Sequence, residues 1–483
     1  MFSFRSIENY HVFLSDNPNG CVVAVNHYLS KIEEKKQLNS FLEIYREEAL
    51  QRANFLDEKR KDGKPLGKLH GVVIALKDVI AHKEHKLSAG SKILENFTSI
   101  YNATAVERLL AEDAIIIGRN NCDEFAMGST NENSAYGNVL NALDETRVPG
   151  GSSGGSAVAV QAGLCMLSLG SDTGGSVRQP ADFCGIIGLK PTYGKVSRYG
   201  LIAYASSFDQ IGIFGNSIHD VSLVLEVISS QDNFDSTLST KPELYNDNLN
   251  KKNKKFKVAY FKDMLEHDAL DPEIKSSFNY LLEQLKQDGH LVESIDFEYL
   301  DYIVPAYYVL TTAEASSNLS RYDGVKYGFR SNSKNPDLSQ FYKNARSEAF
   351  GKEVKRRILL GTFVLSAGYY DAYFTKAQKI RKLLIKKTAL IFNEFDVILL
   401  PTSPSTAFKI GEKKDDPIAM YLADIYTVYA NLTGLPSISI PLFTHTNGMP
   451  FGIQAMTNQF KELLLFQFSQ LLTHQYKSNP TSF

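Results

Sequence analysis

The spacing of apolar positions changes repeatedly along the first 120 residues of the chain. Apolar residues recur at helical spacing across residues 21–57, and a polar run at residues 57–65 follows them. A short apolar run rich in β-branched residues then fills residues 69–78, which predicts a buried strand. An amphipathic helix at residues 105–112 and a strand at residues 114–118 come next. This alternation predicts an α/β fold.

The second half of the chain repeats this alternation. Residues 302–396 show largely helical spacing, with Gly361 and Gly368 as interruptions. The other predicted elements are strands at residues 256–261, 291–295, 395–401, 436–441 and 450–454 and helices at residues 272–286 and 461–473. We expect the last three strands to complete the same sheet, because they are short, apolar and bounded by turn residues.

A polar stretch divides the predicted domain. Residues 229–255 lack periodicity and end in a lysine-rich run at residues 251–255, which predicts a solvated surface insertion and not an RNA-binding patch. We expect one domain over residues 1–483. Its predicted parts are a helical N-terminal segment (1–65), a core (70–215) and the remainder of the sheet (256–483), which includes the helical region 302–396.

Composition narrows the classes of function. The 483 residues carry a formal net charge of −2, which gives no electrostatic basis for direct binding to nucleic acid or a membrane. No apolar run reaches the roughly 20 residues that a membrane-spanning helix requires, and the first residues lack the pattern of a secretory signal, so we expect a cytoplasmic protein. The four cysteines form neither a CxxC pair nor a cluster with histidine, which predicts buried, reduced thiols and no metal site.

The centre of the chain is rich in glycine and poor in charge. Two loops that carry both glycine and serine, residues 147–156 and 170–180, flank one apolar segment at residues 157–169. Glycine lets the backbone take a positive φ and approach a ligand closely. Consecutive N–H groups at such turns bind phosphate or a developing oxyanion. The loops therefore predict a site for an anion or an oxyanion.

Three explanations of these loops have weaknesses. A phosphate-binding P-loop requires GxxxxGK[ST], but the nearest stretch, residues 188–196, has the wrong spacing and places Val196 at the hydroxyl position. Residues 150–154 match the GxSxG motif of a nucleophile elbow, yet the polar segment before them, residues 141–149, ends in proline and is no central strand. A purely connecting role is common for one such run, but two long runs in a charge-poor region weaken it.

Ser176 has the sequence context of a catalytic serine. It follows a predicted strand at residues 165–170 and a tight glycine turn. The candidate oxyanion donors are the backbone N–H groups of Thr173, Gly174, Gly175 and Ser176. No histidine occurs between His85 and His219, so a Ser-His-Asp triad would recruit a distant one. A lysine replaces histidine as the base where burial keeps it neutral, and Lys77, at the end of a predicted strand, suits that role.

Three motifs follow one another along the chain. They are a predicted strand that ends in Lys77, the run Gly-Gly-Ser-Ser-Gly-Gly-Ser at residues 150–156, and the run Asp-Thr-Gly-Gly-Ser-Val-Arg-Gln-Pro at residues 172–180. These motifs resemble the amidase signature family over residues 71–212. The resemblance implies one large α/β domain whose central mixed, twisted sheet is covered by helices on both faces. It also implies a Ser–Ser–Lys triad. The implied roles are Ser176 as acyl-enzyme nucleophile, Ser152 as relay and Lys77 as base, with a cis peptide between Gly151 and Ser152.

Further motifs resemble one branch of that family, the A subunits of tRNA-dependent amidotransferases. These motifs are residues 123–129, 313–324, 351–361 and 420–427. The resemblance implies a glutaminase that makes ammonia inside a heterotrimer with B and C subunits. The B subunit would bind most of the tRNA and use ATP and Mg²⁺ to amidate Glu-tRNA(Gln), while this chain would carry no cofactor. Whether Asp-tRNA(Asn) is also a substrate stays open.

The same resemblance implies a glutamine pocket. An arginine binds an α-carboxylate in a bidentate manner, and an aspartate pairs with an α-ammonium. The residues implied for the pocket are Met127, Gly128, Ser129, Tyr307, Arg356 and Asp424. The adjacent Tyr308 and Arg357 leave the positions of the tyrosine and the arginine open by one residue.

Two other functions stay open from the sequence. A stand-alone amidase for another small amide would share the triad and would turn over without partners. A non-catalytic scaffold would keep only the fold, and the intact set of Lys77, Ser152 and Ser176 argues against it.

Overall fold

The apolar runs of the sequence form one sheet in the computed structural model, which describes residues 2–239, 243–249, 254–332, 337–413 and 423–476. Within these residues the eleven strands are β1 (Phe41–Ile44), β2 (Val73–Lys77), β3 (Ile115–Asn120), β4 (Leu167–Asp172), β5 (Ile187–Lys190), β6 (Gln210–Gly215), β7 (Lys257–Phe261), β8 (Leu291–Ile295), β9 (Val397–Pro401), β10 (Ser437–Thr444) and β11 (Pro450–Met456). Their order across the sheet is β1-β3-β2-β4-β6-β5-β10-β11-β9-β7-β8.

Helices flank this sheet and supply its crossover connections. Those formed by the described residues are α1 (Ile7–Asp16), α2 (Gly20–Glu34), α3 (Arg46–Lys61), α4 (Thr104–Ala111), α5 (Gly154–Gln161), α6 (Arg178–Cys184), α7 (Ile218–Ile228), α8 (Lys262–Leu265), α9 (Pro272–Gln287), α10 (Ile303–Asn318), α11 (Leu338–Ala349), α12 (Lys352–Val364), α13 (Lys376–Glu394), α14 (Val428–Thr433) and α15 (Glu462–Gln475). Side chains cap the N-termini of several of these helices. For example, the Asp271 carboxylate accepts the N–H groups of Glu273 and Ile274 at the start of α9.

The sheet is mixed. β2 runs parallel to β3 and β4, and β7 runs parallel to β8 and β9. The remaining pairs, which include the central β6–β5–β10–β11 segment, are antiparallel. Parallel neighbours require a crossover, and α4, α5 and α9 lie in such connections. The predicted α/β class with a large mixed sheet is confirmed.

The carboxyl ends of β2 and β4 place two polar residues side by side. These strands are parallel neighbours, with Leu76 paired to Leu169, and every residue of both is buried. Lys77 ends β2, and Ser171 lies close to the end of β4. Because parallel strands end at the same edge of a sheet, both side chains reach the loops that precede α5 and α6.

Two predictions about individual elements are wrong. Residues 21–57 are not helical throughout, because β1 (Phe41–Ile44) lies between α2 and α3. This strand is short and pairs at the sheet edge with β3, a partner that local spacing does not reveal. Gly361 does not interrupt the helical region but lies inside α12. A Cβ there would come 1.9 Å from the Thr312 carbonyl oxygen of α10, so glycine allows these two helices to pack closely.

The remaining predictions about the chain have mixed outcomes. All four cysteines are free and buried, which confirms that expectation. Among the helices of the described ranges, none combines the length and the apolar character needed to cross a membrane. Residues 251–253 of the lysine-rich run and residues 420–422 of the last quoted motif lie outside the described residues. The division of the domain into three parts stays a prediction.

Candidate active site

Lys77 is fully buried among hydroxyl groups. Its Nζ donates hydrogen bonds to the Oγ atoms of Ser152 and Ser153, each at 2.8 Å, and to Oγ of Ser171 at 2.9 Å. Burial lowers the pKa of Lys77 to about 8, because the charged amine loses its hydration, and the nearest acidic groups oppose this only in part. The amine therefore exchanges its proton much closer to neutral pH than an exposed lysine does.

The first glycine loop holds two serines against this lysine. The peptide between Gly151 and Ser152 is cis, as the family resemblance implied. The Ser152 carbonyl accepts the Asp123 N–H at 3.1 Å, and Ser153 Oγ donates to the Ser171 carbonyl at 3.1 Å. These bonds connect the loop to β4 and to the segment after β3, so both hydroxyls are fixed relative to the sheet.

Ser176 lies in the turn between β4 and α6 and is 8% exposed. The Arg178 guanidinium donates from Nε and Nη2 to the two oxygens of Asp172, at 3.1 and 3.0 Å. Asp172 also accepts the N–H groups of Gly175 and Val177, at 2.9 and 3.1 Å. Burial acts to raise the pKa of Asp172, but the Arg178 charge outweighs it and holds that pKa far below its usual range. One carboxylate thus fixes the turn on both sides of Ser176.

The Arg178 side chain also connects this turn to the C-terminal part of the domain. Its Nη1 donates to the Thr427 carbonyl at 2.7 Å and to Gln454 Oε1 at 3.0 Å, and its Nη2 donates to Asn431 Oδ1 at 2.6 Å. Together with the two bonds to Asp172, all five donors of the guanidinium are used. A buried charge is tolerated here because it is both paired and hydrogen-bonded.

The N–H groups around Ser176 differ in what they bind. The Gly175 N–H is directed at the Asp172 carboxylate, in contrast to its predicted place among the oxyanion donors. Within the described residues, the N–H groups of Thr173, Gly174 and Ser176 have no hydrogen-bond partner. Gly174 also lies directly against a tyrosine. A Cβ at Gly174 would come 2.2 Å from the hydroxyl oxygen of that residue, Tyr307, which excludes any larger side chain.

A small cavity adjoins Ser176. It is lined by Ala126, Gly128, Ser129, Gly151, Gly174, Gly175, Ser176, Tyr307, Arg357 and Asp424. A larger cleft of about 270 Å³ shares Gly128, Ser129 and Arg357 with it and leads towards it from the surface. Met127, predicted to line the pocket, is instead fully buried in the hydrophobic core beneath this loop.

Asp424 places a negative charge inside this cavity. Its Oδ1 accepts the Ser129 hydroxyl at 3.0 Å, and its Oδ2 accepts the Tyr308 hydroxyl at 2.6 Å. Burial raises the pKa of Asp424 to about 6, against the effect of these hydrogen bonds and of the Arg357 charge. The carboxylate therefore stays ionised near pH 7 and is held on both oxygens. The two candidate tyrosines have separate places, since Tyr307 lines the cavity and Tyr308 orients the aspartate.

Adjacent arginines of α12 take different positions. Arg357 is 5% exposed, donates to Glu353 Oε1 and to the Tyr204 hydroxyl, each at 2.8 Å, and lies 5.5 Å from the centre of the Tyr308 ring. Arg356 pairs with the same glutamate, but its side chain is 39% exposed and lines only the outer cleft. The structure therefore brings Arg357, and not the predicted Arg356, to the inner cavity.

Sequence reasoning missed several residues of the site. Ser153 and Ser171 bind Lys77, and the Asp172–Arg178 pair shapes the nucleophile turn. All of them lie within or beside the two glycine loops. Two opposite charges in a segment otherwise without charge are the signal that could have identified the pair, because lone buried charges are rare.

The fold and the site define an amidase. The sequence profile of the family described as Amidase matches residues 23–466, which include Lys77, both glycine loops and the residues of the inner cavity. The chain belongs to this family.

Curated relatives are more specific. The A subunit of glutamyl-tRNA(Gln) amidotransferase from Koribacter versatilis is 46% identical over 471 residues, which cover 97% of this chain and 98% of that protein. The protein of the same name from Chlorobaculum parvum is 49% identical and covers 95% of each chain.

Solved structures agree with these relatives. The crystal structure of the glutamyl-tRNA(Gln) amidotransferase A subunit from Thermotoga maritima is similar to this chain with a TM-score of 0.80 at 36% identity, covering 98% of this chain and 95% of that one. A protein from a vestigial complex connected with the origin of an s-triazine catabolic enzyme has a TM-score of 0.86 at 26% identity, covering 99% of this chain and 100% of that one. The fold thus persists where the sequence has diverged.

Proposed function

We propose that this chain is the glutamine-hydrolysing subunit of a tRNA-dependent amidotransferase and supplies ammonia to a partner. One observation carries the proposal: Arg357 and Asp424, which have opposite charges, line the same cavity as Ser176. A free α-amino acid carries both a carboxylate and an ammonium, and this pair is complementary to it. The relatives named as A subunits of glutamyl-tRNA(Gln) amidotransferase support the same function.

Within this cavity, Arg357 binds the α-carboxylate of glutamine and Asp424 binds the α-ammonium. Tyr308 and Ser129 hold the two oxygens of Asp424 and so direct it at the substrate. Arg356 lies in the outer cleft and meets glutamine on its way in. Gly128 and Tyr307 form the walls beside the side-chain amide, and Met127 supports this loop from the core.

Acyl transfer begins when Ser176 loses its proton. Neutral Lys77 accepts a proton from Ser152 while Ser152 takes the proton of Ser176, whose oxygen attacks the side-chain amide carbon. Within the described residues, the hydroxyls of Ser152 and Ser176 are not hydrogen-bonded to each other. In this mechanism the Ser176 side chain therefore rotates towards Ser152 when glutamine binds. The proton then passes to the leaving nitrogen, which departs as ammonia. A glutamyl ester stays on Ser176 until water hydrolyses it.

The N–H groups of Thr173, Gly174 and Ser176 stabilise the tetrahedral oxyanion. Each such donor typically contributes about 3 kcal/mol to transition-state stabilisation. Gly175 acts indirectly, because its N–H binds Asp172 and keeps the turn in place. The donors are preorganised, so little rearrangement is needed as the charge develops.

The ammonia is used by a partner in this proposal. A B subunit binds the tRNA and uses ATP and Mg²⁺ to activate Glu-tRNA(Gln), a C subunit completes the heterotrimer, and this chain needs no cofactor of its own. The net charge of −2 agrees with tRNA binding by the partner, since tRNA binding relies on basic surfaces. The assembly works in the cytoplasm, where tRNA is aminoacylated.

The test is amidation of Glu-tRNA(Gln) by the reconstituted heterotrimer. Ser176→Ala should abolish product formation from glutamine and leave product formation from ammonium chloride intact. Ser320→Ala, an exposed serine, is the matched control and should change neither. Glutamine-dependent product from the Ser176→Ala complex would refute the proposal. Full turnover of another small amide by the isolated chain would instead favour the stand-alone amidase.

A further inference from the structure

Two histidines and a glutamate form a second polar cluster, outside the site described above. Glu48 lies in the first turn of α3, and His82 and His85 lie in the loop that follows β2. One nitrogen or oxygen atom of each residue lies within 4.8 Å of the others. His85 Nε2 is 2.6 Å from Glu48 Oε2, and His82 Nε2 is 3.8 Å from Glu48 Oε1.

His82 is the unusual member of this cluster. Its side chain is 6% exposed, and within the described part of the chain its buried Nδ1 has no hydrogen-bond partner, while its Nε2 faces Glu48. A neutral imidazole has one donor and one acceptor nitrogen, and leaving either buried without a partner costs free energy. A buried neutral imidazole with an unused lone pair is suited to bind a metal ion.

We propose that Glu48, His82 and His85 bind a divalent transition metal ion of the zinc type. Two imidazole nitrogens and one carboxylate oxygen are a common donor set for Zn²⁺. In a tetrahedral site with metal–ligand distances of about 2.0–2.1 Å, ligand atoms lie about 3.4 Å apart. The observed separations of 2.6 and 3.8 Å bracket this value. Side-chain rotation closes the difference, because the Glu48 side chain is 51% exposed.

The surroundings of the cluster agree with a bound cation. Glu43 Oε1 lies 4.0 Å from His85 Nδ1, the nitrogen that faces away from Glu48. A small side-chain rotation would let this carboxylate accept a hydrogen bond from His85, as outer carboxylates of metal-binding histidines often do. The Tyr45 ring lies against the His85 ring, with 3.7 Å between their centres. The nearby cation Arg119 is already paired with Glu43 and Asp78.

The ion would connect two segments that are distant in the chain. It would join the start of α3 to the loop that leaves β2 only a few residues after Lys77. Its role is structural, since none of the three ligands lines the cavity at Ser176. The absence of a metal site was predicted from the four cysteines, which form neither a CxxC pair nor a cluster with histidine. The glutamate ligand comes from a helix that only the fold brings near.

The test titrates the metal-free full chain with Zn²⁺ against a chromophoric chelator and, separately, with Co²⁺, whose visible absorption reports tetrahedral ligation. We expect binding of a single equivalent of Zn²⁺ per chain. Excess Zn²⁺ should raise the midpoint of thermal unfolding by about 2 °C or more. His82→Asn and His85→Asn should each weaken Zn²⁺ binding by about tenfold or more and remove the Co²⁺ bands.

Two further variants make the result decisive. Glu48→Gln changes an exposed side chain, so it tests the same site even where a histidine variant fails to fold. His445→Asn is the matched control, because His445 also contacts two carboxylates, those of Asp271 and Glu273, without a second histidine. It should bind Zn²⁺ as the unmodified chain does. Absence of binding, or equal affinity in the unmodified chain, Glu48→Gln and both histidine variants, would overturn the proposal.

Discussion

Lys77, beside the two glycine loops, and Arg357, in the wall of the proposed glutamine pocket, are both buried cations, but their pKa values shift in opposite directions. Around Lys77 the partners are three neutral hydroxyls, and burial lowers its pKa to about 8. Arg357 is also buried, and burial acts to lower its pKa, but Tyr204 and Glu353 raise it well above the usual value. Its guanidinium therefore keeps its charge. The difference shows that the chemistry needs a charge that can be lost, whereas recognition needs charges that persist.

The two regions also come from different parts of the chain. The proposed catalytic residues end β2 or lie in the two glycine loops, whereas the proposed pocket wall is built by Tyr308 on α10, Arg357 on α12 and Asp424 before α14. In the proposed mechanism only the first group touches the reacting atoms, so substitutions there should lower kcat. Substitutions in the wall should raise KM, since they weaken the binding of glutamine.

Lys77→Met should have the largest effect. It removes the proposed base, so we expect kcat for glutamine hydrolysis to fall by about 10²–10⁴-fold with KM little changed. Lys77→Arg should be as inactive, because a guanidinium does not give up its proton. Ammonia release by the assembled complex measures both, and Lys83→Met, an exposed lysine, is the control. A Lys77→Arg complex with ordinary turnover would show that another group is the base.

The same contrast explains how much the sequence could predict. Lys77, Ser152 and Ser176 could be proposed from the sequence because contiguous glycine-rich runs and a strand end mark them, and the structure brings Lys77 and Ser152 into contact. Local pattern also identified most strands and helices. Arg357 could not be separated from Arg356, since adjacent helical positions look alike in sequence and only packing of α12 decides which side chain faces Asp424.

Contacts between distant segments account for the other omissions. Ser171 binds Lys77 only because β4 lies beside β2, and β1 forms only by pairing with β3. The sequence predicted roles for the two serines of the glycine loops, but it did not predict the Asp172–Arg178 pair that positions the turn. The Arg178 guanidinium is fully hydrogen-bonded only because Asn431, Gln454 and Thr427, which lie more than two hundred residues away, also accept from it.

Arg357→Lys tests the pocket wall. A lysine keeps the charge but loses the planar fork, so we expect KM for glutamine to rise by about 10–100-fold while kcat changes little. Arg356→Lys is the matched control on the same helix and should change KM by less than about threefold, since its side chain is more exposed. Steady-state glutaminase kinetics of both complexes measure this. A larger rise in KM for Arg356→Lys than for Arg357→Lys would show that Arg356 binds the carboxylate.

The pH profile tests the state of Lys77. Its neutral form is the base, so kcat/KM for glutamine should rise with pH and level off above about 8. Ser171→Ala removes a hydrogen-bond acceptor that favours the charged amine, so the midpoint should move to lower pH, with a change in the plateau rate of only a few-fold, on the order of a lost hydrogen bond.

The other ionisable groups that act on Lys77 are Cys122, Asp123, Asp172 and Asp209. Burial raises the pKa of Asp123 to about 6 and that of Asp209 to about 7, so both titrate below the lysine. Ser320→Ala serves as the control. A midpoint that stays unchanged in the Ser171→Ala complex would assign the rise to a group other than Lys77.

Glu124 joins the segment after β2 to the start of α12, and its substitution should have the smallest effect on turnover. Its carboxylate accepts hydrogen bonds from the Ser91 hydroxyl and, at 2.7 Å, from the N–H of Gly351, which caps α12. Burial raises the pKa of Glu124 to about 7, although Ser91, Gly351 and Lys355 act in the opposite direction. Glutamine has nearly the same shape, so Glu124→Gln should change kcat and KM by less than about threefold.

The free energy of unfolding should respond more than turnover does. The pKa of Glu124 rises from its usual 4.5 to about 7 on folding, so the folded chain binds more protons between these values and loses stability as pH rises. Glutamine does not titrate, so Glu124→Gln should gain up to roughly 3 kcal/mol relative to the unmodified chain between about pH 5 and pH 8. Urea unfolding at both pH values measures this difference. Identical pH dependence would show that Glu124 is already ionised in the folded chain. A large fall in kcat would show that the wall and the catalytic loops are not independent.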